Sequence, residues 1–200
     1  MREVPISAFL PRLRTQVNVP LVPLMESAVV EAAITFCRES QVVLTSYDVD
    51  RIYANQTLSV IGRSGINQCT QGRYKSAGVL AITSQQDSLP LKVGRDYQAL
   101  SLDNIRLLAE VVNVTVHAAI EPQKTTTYLP AVLLEDWELG ICAGAACQLL
   151  KQPDRDWSHP SLSIEQGRTF VEQWRQAKRW RLEQIDESTR PTMARNRVFY

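Results

Sequence analysis

Apolar positions along this chain recur first at a helical period, then at a strand period, then at a helical period again. Met25, Ala28, Val29, Ala32, Ala33, Phe36 and Cys37 fall at i, i+3, i+4, i+7, i+8, i+11 and i+12, one continuous helical face. Glu26, Glu31, Arg38 and Glu39 take the wet side. Val30 and Ile34 sit between, either widening the core stripe or forming a second contact surface. From about residue 41 the period shortens. QVVLTSYDV, TLSVIG, GVLAI, LPLKV and EVVNVTVHAAI are rich in β-branched residues and separated by Gly, Asn, Asp and Ser, which predicts strands. In the last run Val112, Val114, Val116, Ala118 and Ile120 alternate with Val111, Asn113, Thr115 and His117, giving one apolar and one mixed face. Residues 62–78, GRSGINQCTQGRYKSAG, read as an exposed loop or hairpin tip. Residues 100–108 carry neither period clearly.

The helical period returns in residues 129–157, LPAVLLEDWELGICAGAACQLLKQPDRDW, read as one long helix ended by Pro153. Pro130 suits its first turn, and Glu135, Asp136 and Glu138 lie early, where the helix dipole favours carboxylates. Leu134, Trp137, Ile141, Ala145 and Leu149 make one apolar face. Beside it runs a stripe of small residues: Gly140, Ala143, Gly144 and Cys147. A glycine in a helix interior costs about 1 kcal/mol relative to alanine, so two of them one turn apart imply close approach of another backbone. A turn, QPDRDWSHP, leads to a last helix reaching about Glu187, with Pro160, Ser163 and Gln166 as a capping-box start. Its apolar face, Ile164, Phe170, Val171, Trp174, Ala177, Leu182 and Ile185, drifts along the length. Two helices joined by a short turn form an antiparallel hairpin.

These elements predict an α+β protein: a three-helix bundle, made of one N-terminal helix and a C-terminal antiparallel hairpin, with an inserted antiparallel β region. Residues 1–45 hold an arm and the first helix, 46–121 the β insertion, 122–187 the hairpin and 188–200 a C-terminal tail. Prolines 5, 11 and 20 make residues 1–22 an extended arm with room for one short helical turn, and the C-terminal arm is extended too.

A length of 200 residues with 44% apolar content supports a real core, and a net charge of +1 gives no global signal for a polyanion or membrane. The N-terminus lacks the apolar run of a signal peptide and no stretch approaches a membrane span, so a reducing cytoplasm is expected. Cys37, Cys69, Cys142 and Cys147 form no CxxC, and Cys142 and Cys147 point about 140° apart around a helix. Reduced, buried cysteines are expected, with no metal site. Two histidines, His117 and His159, have no GxSxG or HExxH context. GRYKSAG lacks the spacing of a phosphate loop. Glu135, Asp136 and Glu138 could be imagined as a hydrolytic acid pair, but early-helix carboxylates have the dipole as sufficient reason. No enzyme and no cofactor is expected.

Charge becomes informative only near the C-terminus. Arg168, Arg175, Lys178, Arg179 and Arg181 interleave with Trp174 and Trp180, a pairing that can bind phosphates and stack on bases. Acids in the same helix offset it, and a solvated or protein-contacting helix is the plainer reading. Residues 188–200, STRPTMARNRVFY, carry three arginines and no acid and end in Val198, Phe199 and Tyr200, which suits docking into a partner's groove.

In order, VPISAFLPRLR, the EAAITFCRES helix, VNVTVHAAIEP, and LPAVLLEDWELGICAGAACQLLKQPDRDWSHP before a long final helix resemble the head-to-tail adaptor (connector, or neck) proteins of tailed bacteriophages. The resemblance implies a structural protein of the virion. It would form a ring beneath the portal, as a homo-oligomer with the portal's twelve-fold symmetry, extend the DNA channel and join the portal to a neck or tail component. Residues Arg190, Arg195, Arg197, Val198, Phe199 and Tyr200 would dock on the portal protein. Trp137, Gly140, Gly144, Cys147 and Trp157 would pack the helices or line a subunit seam. Arg175, Lys178, Arg179 and Arg181 would be candidate contacts to channel DNA or a partner. The implied location is the head-to-tail junction, with assembly in the host cytoplasm. Tail completion or tube termination, and a nucleic-acid-binding module, are the alternatives.

Overall fold

The computed structural model describes residues 1–62, 73–84 and 90–184. The chain begins with strand β1 (Glu3–Pro5), a 3-10 turn (Ile6–Phe9) and helix α1 (Leu10–Gln16). Helix α2 (Val22–Ser40) follows. Strands β2 (Leu44–Ile52), β3 (Thr57–Ser59), β4 (Tyr74–Ser84), β5 (Tyr97–Ala99), β6 (Asn104–Leu107) and β7 (Val111–Pro122) come next. Strand β8 (Tyr128–Pro130) leads into helices α3 (Ala131–Glu135), α4 (Glu138–Leu150) and α5 (Pro160–Glu183).

Three antiparallel sheets organise the strands: β1-β8, β2-β7-β4 and β3-β6-β5. The expectation of a three-helix bundle carrying a β insertion is overturned. The described residues form an α+β fold of five α-helices and eight strands, and the β part has its own core. Ile52, Val60, Ile82, Ile105, Leu107 and Val116 fill it between the second and third sheets. The first core lies among the helices and reaches the end of the central sheet through Tyr74 and Ile120. Strand β7 spans both, giving Val114, Val116 and Ala118 to one core and Ile120 to the other. A strand of this length can serve two cores because its apolar positions keep one face over the whole run.

The N-terminal arm is also corrected. Ile6, Phe9, Leu10 and Leu13 recur at i, i+3, i+4 and i+7 and are buried, with Phe9 and Leu13 fully so. Pro11 does not prevent this, because it stands in the first turn of α1, where its missing N–H is no loss. Strand β1 pairs with β8, Val4 opposite Leu129, and Glu3 accepts bonds from Arg73 (2.6 Å) and the Tyr74 hydroxyl (2.9 Å).

The stretch 129–157 is not one helix. Pro130 ends β8 and caps α3, and the helix breaks at Asp136 and Trp137 before α4 begins. Helix α4 is buried on every side from Gly140 to Ala146, as expected for a helix apolar all round. Val30 and Ile34 are buried as well, so the core stripe of α2 is broad. Gln41 ends α2 in the left-handed region (φ 52°), its N–H donating to the Cys37 carbonyl at 2.8 Å.

The β and helical parts are clamped by Glu121. This carboxylate is fully buried at the end of β7. It accepts two bonds from Arg38 of α2 (2.8 and 2.6 Å) and pairs with Lys75 of β4 at 3.0 Å.

Candidate interaction surfaces

The glycine stripe is explained by packing within the chain. A Cβ on Gly140 would lie 2.8 Å from the Phe36 ring and 2.9 Å from Gln173 Cβ. One on Gly144 would lie 2.7 Å from the Phe170 ring and 3.0 Å from Ala32 Cβ. The two glycines therefore let α4 lie against α2 and α5 together. Trp137 stacks obliquely on Phe36, ring centres 5.8 Å apart. Cys147 lies at the α4–α5 contact, where Ser163 Oγ donates to its carbonyl at 2.9 Å. Ser163 is thus a crosslink inside the hairpin rather than a cap. The cap of α5 is His159, whose Nδ1 accepts from the Leu162 N–H at 3.2 Å. Trp157 lies in the turn beneath Arg155, whose guanidinium sits 5.9 Å from the ring centre.

Helix α5 differs from α4 in what it leaves uncovered. Of its 24 residues only Ser163, Ala177 and Arg181 are buried. Phe170 and Trp174 are half-buried on the packed side. One flank carries Ile164, Val171 and Leu182 in a row, with Ile164 and Leu182 exposed. That flank, with the end of α4, forms a groove of about 960 Å³ whose cations are Lys151, Arg168, Arg175 and Arg179. Trp180, half exposed, stands on the other flank, about 160° from Ile164 around the helix.

Of the four predicted cationic contacts, Arg175 and Arg179 line this groove, and Arg175 also covers the Trp174 ring at 5.5 Å. Lys178 is exposed beside it. Arg181 is buried, burial lowers its pKa, and its Nε has no hydrogen-bond partner. The sequence marks all four alike because the helical period there is blurred by charge on every side. The groove's other cations, Lys151 and Arg168, were not among the four, since one of them comes from a different helix. The docking residues Arg190, Arg195, Arg197, Val198, Phe199 and Tyr200, the apolar position Ile185, and Cys69 lie outside the described residues; the loop expected over 62–78 is corrected at its end, where 74–78 belong to strand β4 because they pair with β7.

The early-helix acids are tied to the N-terminal segment. Arg2 pairs with Glu135 at 3.0 Å and Arg12 with Glu138 at 3.1 Å. Cys37 and Cys142 are free and buried. Burial raises both thiol pKa values, helped by Glu121 at Cys37 and by Glu138 at Cys142, which is pushed up to about 12. His117 lies on β7, half-buried on the mixed face. Among the described residues no group of three His, Cys, Asp or Glu could hold a metal ion, and no helix is long and apolar enough to cross a membrane. No protein-family model matches the chain, and a search of curated proteins finds no match.

Proposed function

We propose that this chain is a structural virion protein, a head-to-tail adaptor that forms a ring beneath the portal and joins it to a neck or tail component. The observation that supports this most is the outer side of α5. This 24-residue helix packs one side on α2 and α4 through Phe170, Gln173 and Trp174 but buries only three residues, which leaves both its flanks uncovered by its own chain. Its two flanks differ: a basic, apolar groove on one, Trp180 on the other. A cyclic, head-to-tail assembly needs two different patches on each subunit. In this reading the flanks meet neighbouring copies, and residues 188–200 dock on the portal.

Ile164→Asp and Trp180→Asp test it. Both are surface changes and should shift folding stability by no more than about 0.5 kcal/mol, while together abolishing assembly on portal rings. Deleting residues 188–200 should leave the circular dichroism unchanged and stop the protein co-sedimenting with portals. Normal assembly of either variant would reject the role given to that part.

The cations Lys151, Arg168, Arg175 and Arg179 in one groove favour a second reading, sequence-blind contact with DNA. Their replacement by glutamine should then remove a salt-dependent DNA affinity.

A further inference from the structure

Helix α5 carries exposed charges that recur every three or four residues: Glu165, Arg168, Glu172, Arg175, Arg179 and Glu183. At that spacing opposite charges on one helix can pair with each other. None of these does so. Every ion pair found among the described residues lies outside α5. Arg2, Arg12 and Arg38, by contrast, each meet an acid from another element.

The unpaired charges are sorted around the helix. At about 100° per residue, Arg168, Arg175 and Arg179 fall within about 40° of one another, and Glu165, Glu172 and Glu183 within about 20°. From one flank of α5 to the other, distinct strips follow in order. The first is apolar, with Ile164, Val171 and Leu182. Then come the cations, then the acids, and last Trp180. The packed side of the helix, with Ser163 and Ala177, closes the circle.

The two ends of this series are complementary. When the apolar flank of one α5 faces the Trp180 flank of another, apolar groups meet at the centre of the contact. On the solvent side, the cation strip of the first helix then lies beside the acid strip of the second. An apolar centre with a charged rim is the usual anatomy of an interface between proteins. Rim charges of opposite sign select the partner and fix its register. A two-fold contact between two groove flanks would instead set cations on cations. Parallel helices offset by three residues, about 4.5 Å, put Arg168 opposite Glu165 of the second copy and Arg175 opposite its Glu172. The same offset brings Trp180 of the second copy to within about one residue of the level of Leu182. Both of these side chains are about half exposed in the single chain.

We propose that the occupant of the α5 groove is α5 of a second copy, running in the same direction and paired through Arg168 with Glu165 and Arg175 with Glu172. This rests on the reading of the α5 flanks as surfaces between copies. It supplies the partner element, its direction and the residues that choose its register. Each subunit gives a different strip to each neighbour, so the contact repeats head to tail.

The test is sedimentation velocity of the full chain at low salt. The wild type should associate reversibly as its concentration rises and dissociate at high salt. R168E/R175E and E165R/E172R should each weaken association by about tenfold or more, since each sets like charges face to face. All of these positions are exposed, so both variants should keep the circular dichroism of the wild type. An equimolar mixture of the two variants should restore association, because each groove then meets a strip of opposite charge on its neighbour. Wild-type protein that stays monomeric, a variant that associates as well as wild type, or a mixture that does not recover would overturn the proposal. Failure of the portal reading looks different. Wild-type protein that self-associates but ignores portal rings would reject the adaptor role and leave this contact standing. Wild-type protein that assembles on portals, with a mixture that does not, would do the reverse.

Discussion

Glu121 decides whether the two halves of this molecule hold together. It is a fully buried carboxylate whose charge is met by Arg38 and Lys75, one from the helices and one from the sheet. Removing one partner of a buried pair leaves uncompensated groups. Arg38 and Lys75 are partly exposed and can be rehydrated, so Glu121→Gln should cost about 3 kcal/mol, near the low end for such pairs, read from urea denaturation. The thiols give a second prediction at this scale. Cys37 and Cys142 should resist alkylation in the native protein and react on unfolding. Their folded pKa values lie above the ordinary 9.0. From about pH 9 upward the unfolded chain therefore binds fewer protons than the folded one, and stability falls as pH rises. Below that pH the thiols contribute no dependence. Burial of Cys37 and Cys142 could be expected from composition and position, whereas Cys147, expected buried too, is half-buried at the edge of the α5 groove. The role of Glu121 could not, because its partner Arg38 is 83 residues away, and nothing local distinguishes this acid from an exposed one at a strand end.

Helix α4 shows how far a single element can be read from its letters. Two glycines in a helix interior announce a close neighbour, and the neighbours are Phe36 and Gln173 at one and Phe170 and Ala32 at the other. On helix propensity alone, alanine there would stabilise by about 1 kcal/mol. The clash outweighs this, so Gly140→Ala and Gly144→Ala should each lower stability, by about 1–2 kcal/mol net of overpacking and propensity. A thermal melt that rose instead would show that Phe36 and Phe170 can move aside. The element boundaries were less legible. Nothing in LPAVLLEDWELG marks a break, yet the helix stops at Trp137, where the ring packs on Phe36. The N-terminal helix was present in the spacing of Ile6, Phe9, Leu10 and Leu13, and three prolines obscured it. Strands β2, β3, β4 and β7 were recognisable by composition, but LPLKV forms no named strand among its described residues, β5 and β6 were not foreseen, and neither was the split into two sheets, since pairing partners such as Thr57 and Arg106 are far apart in the chain.

At the scale of the whole molecule the two cores explain why the β part is more than an appendage to the helices. They share strand β7 and are bridged by Glu121, and α5 packs on the helical core with two different flanks left uncovered. The proposed closed ring would use those two different patches. The resemblance to phage adaptors rests only on packing patterns in the sequence and carries no chemical signature, so the assembly role is a proposal. The central claim is that these flanks and the C-terminal residues build an annulus on a portal. Electron microscopy of the full chain mixed with portal rings encoded by the same genome tests it most directly. Added density in a closed ring on one face of the portal, with the portal's twelve-fold symmetry, is the predicted result. Bare portal rings beside free, monomeric protein would contradict it.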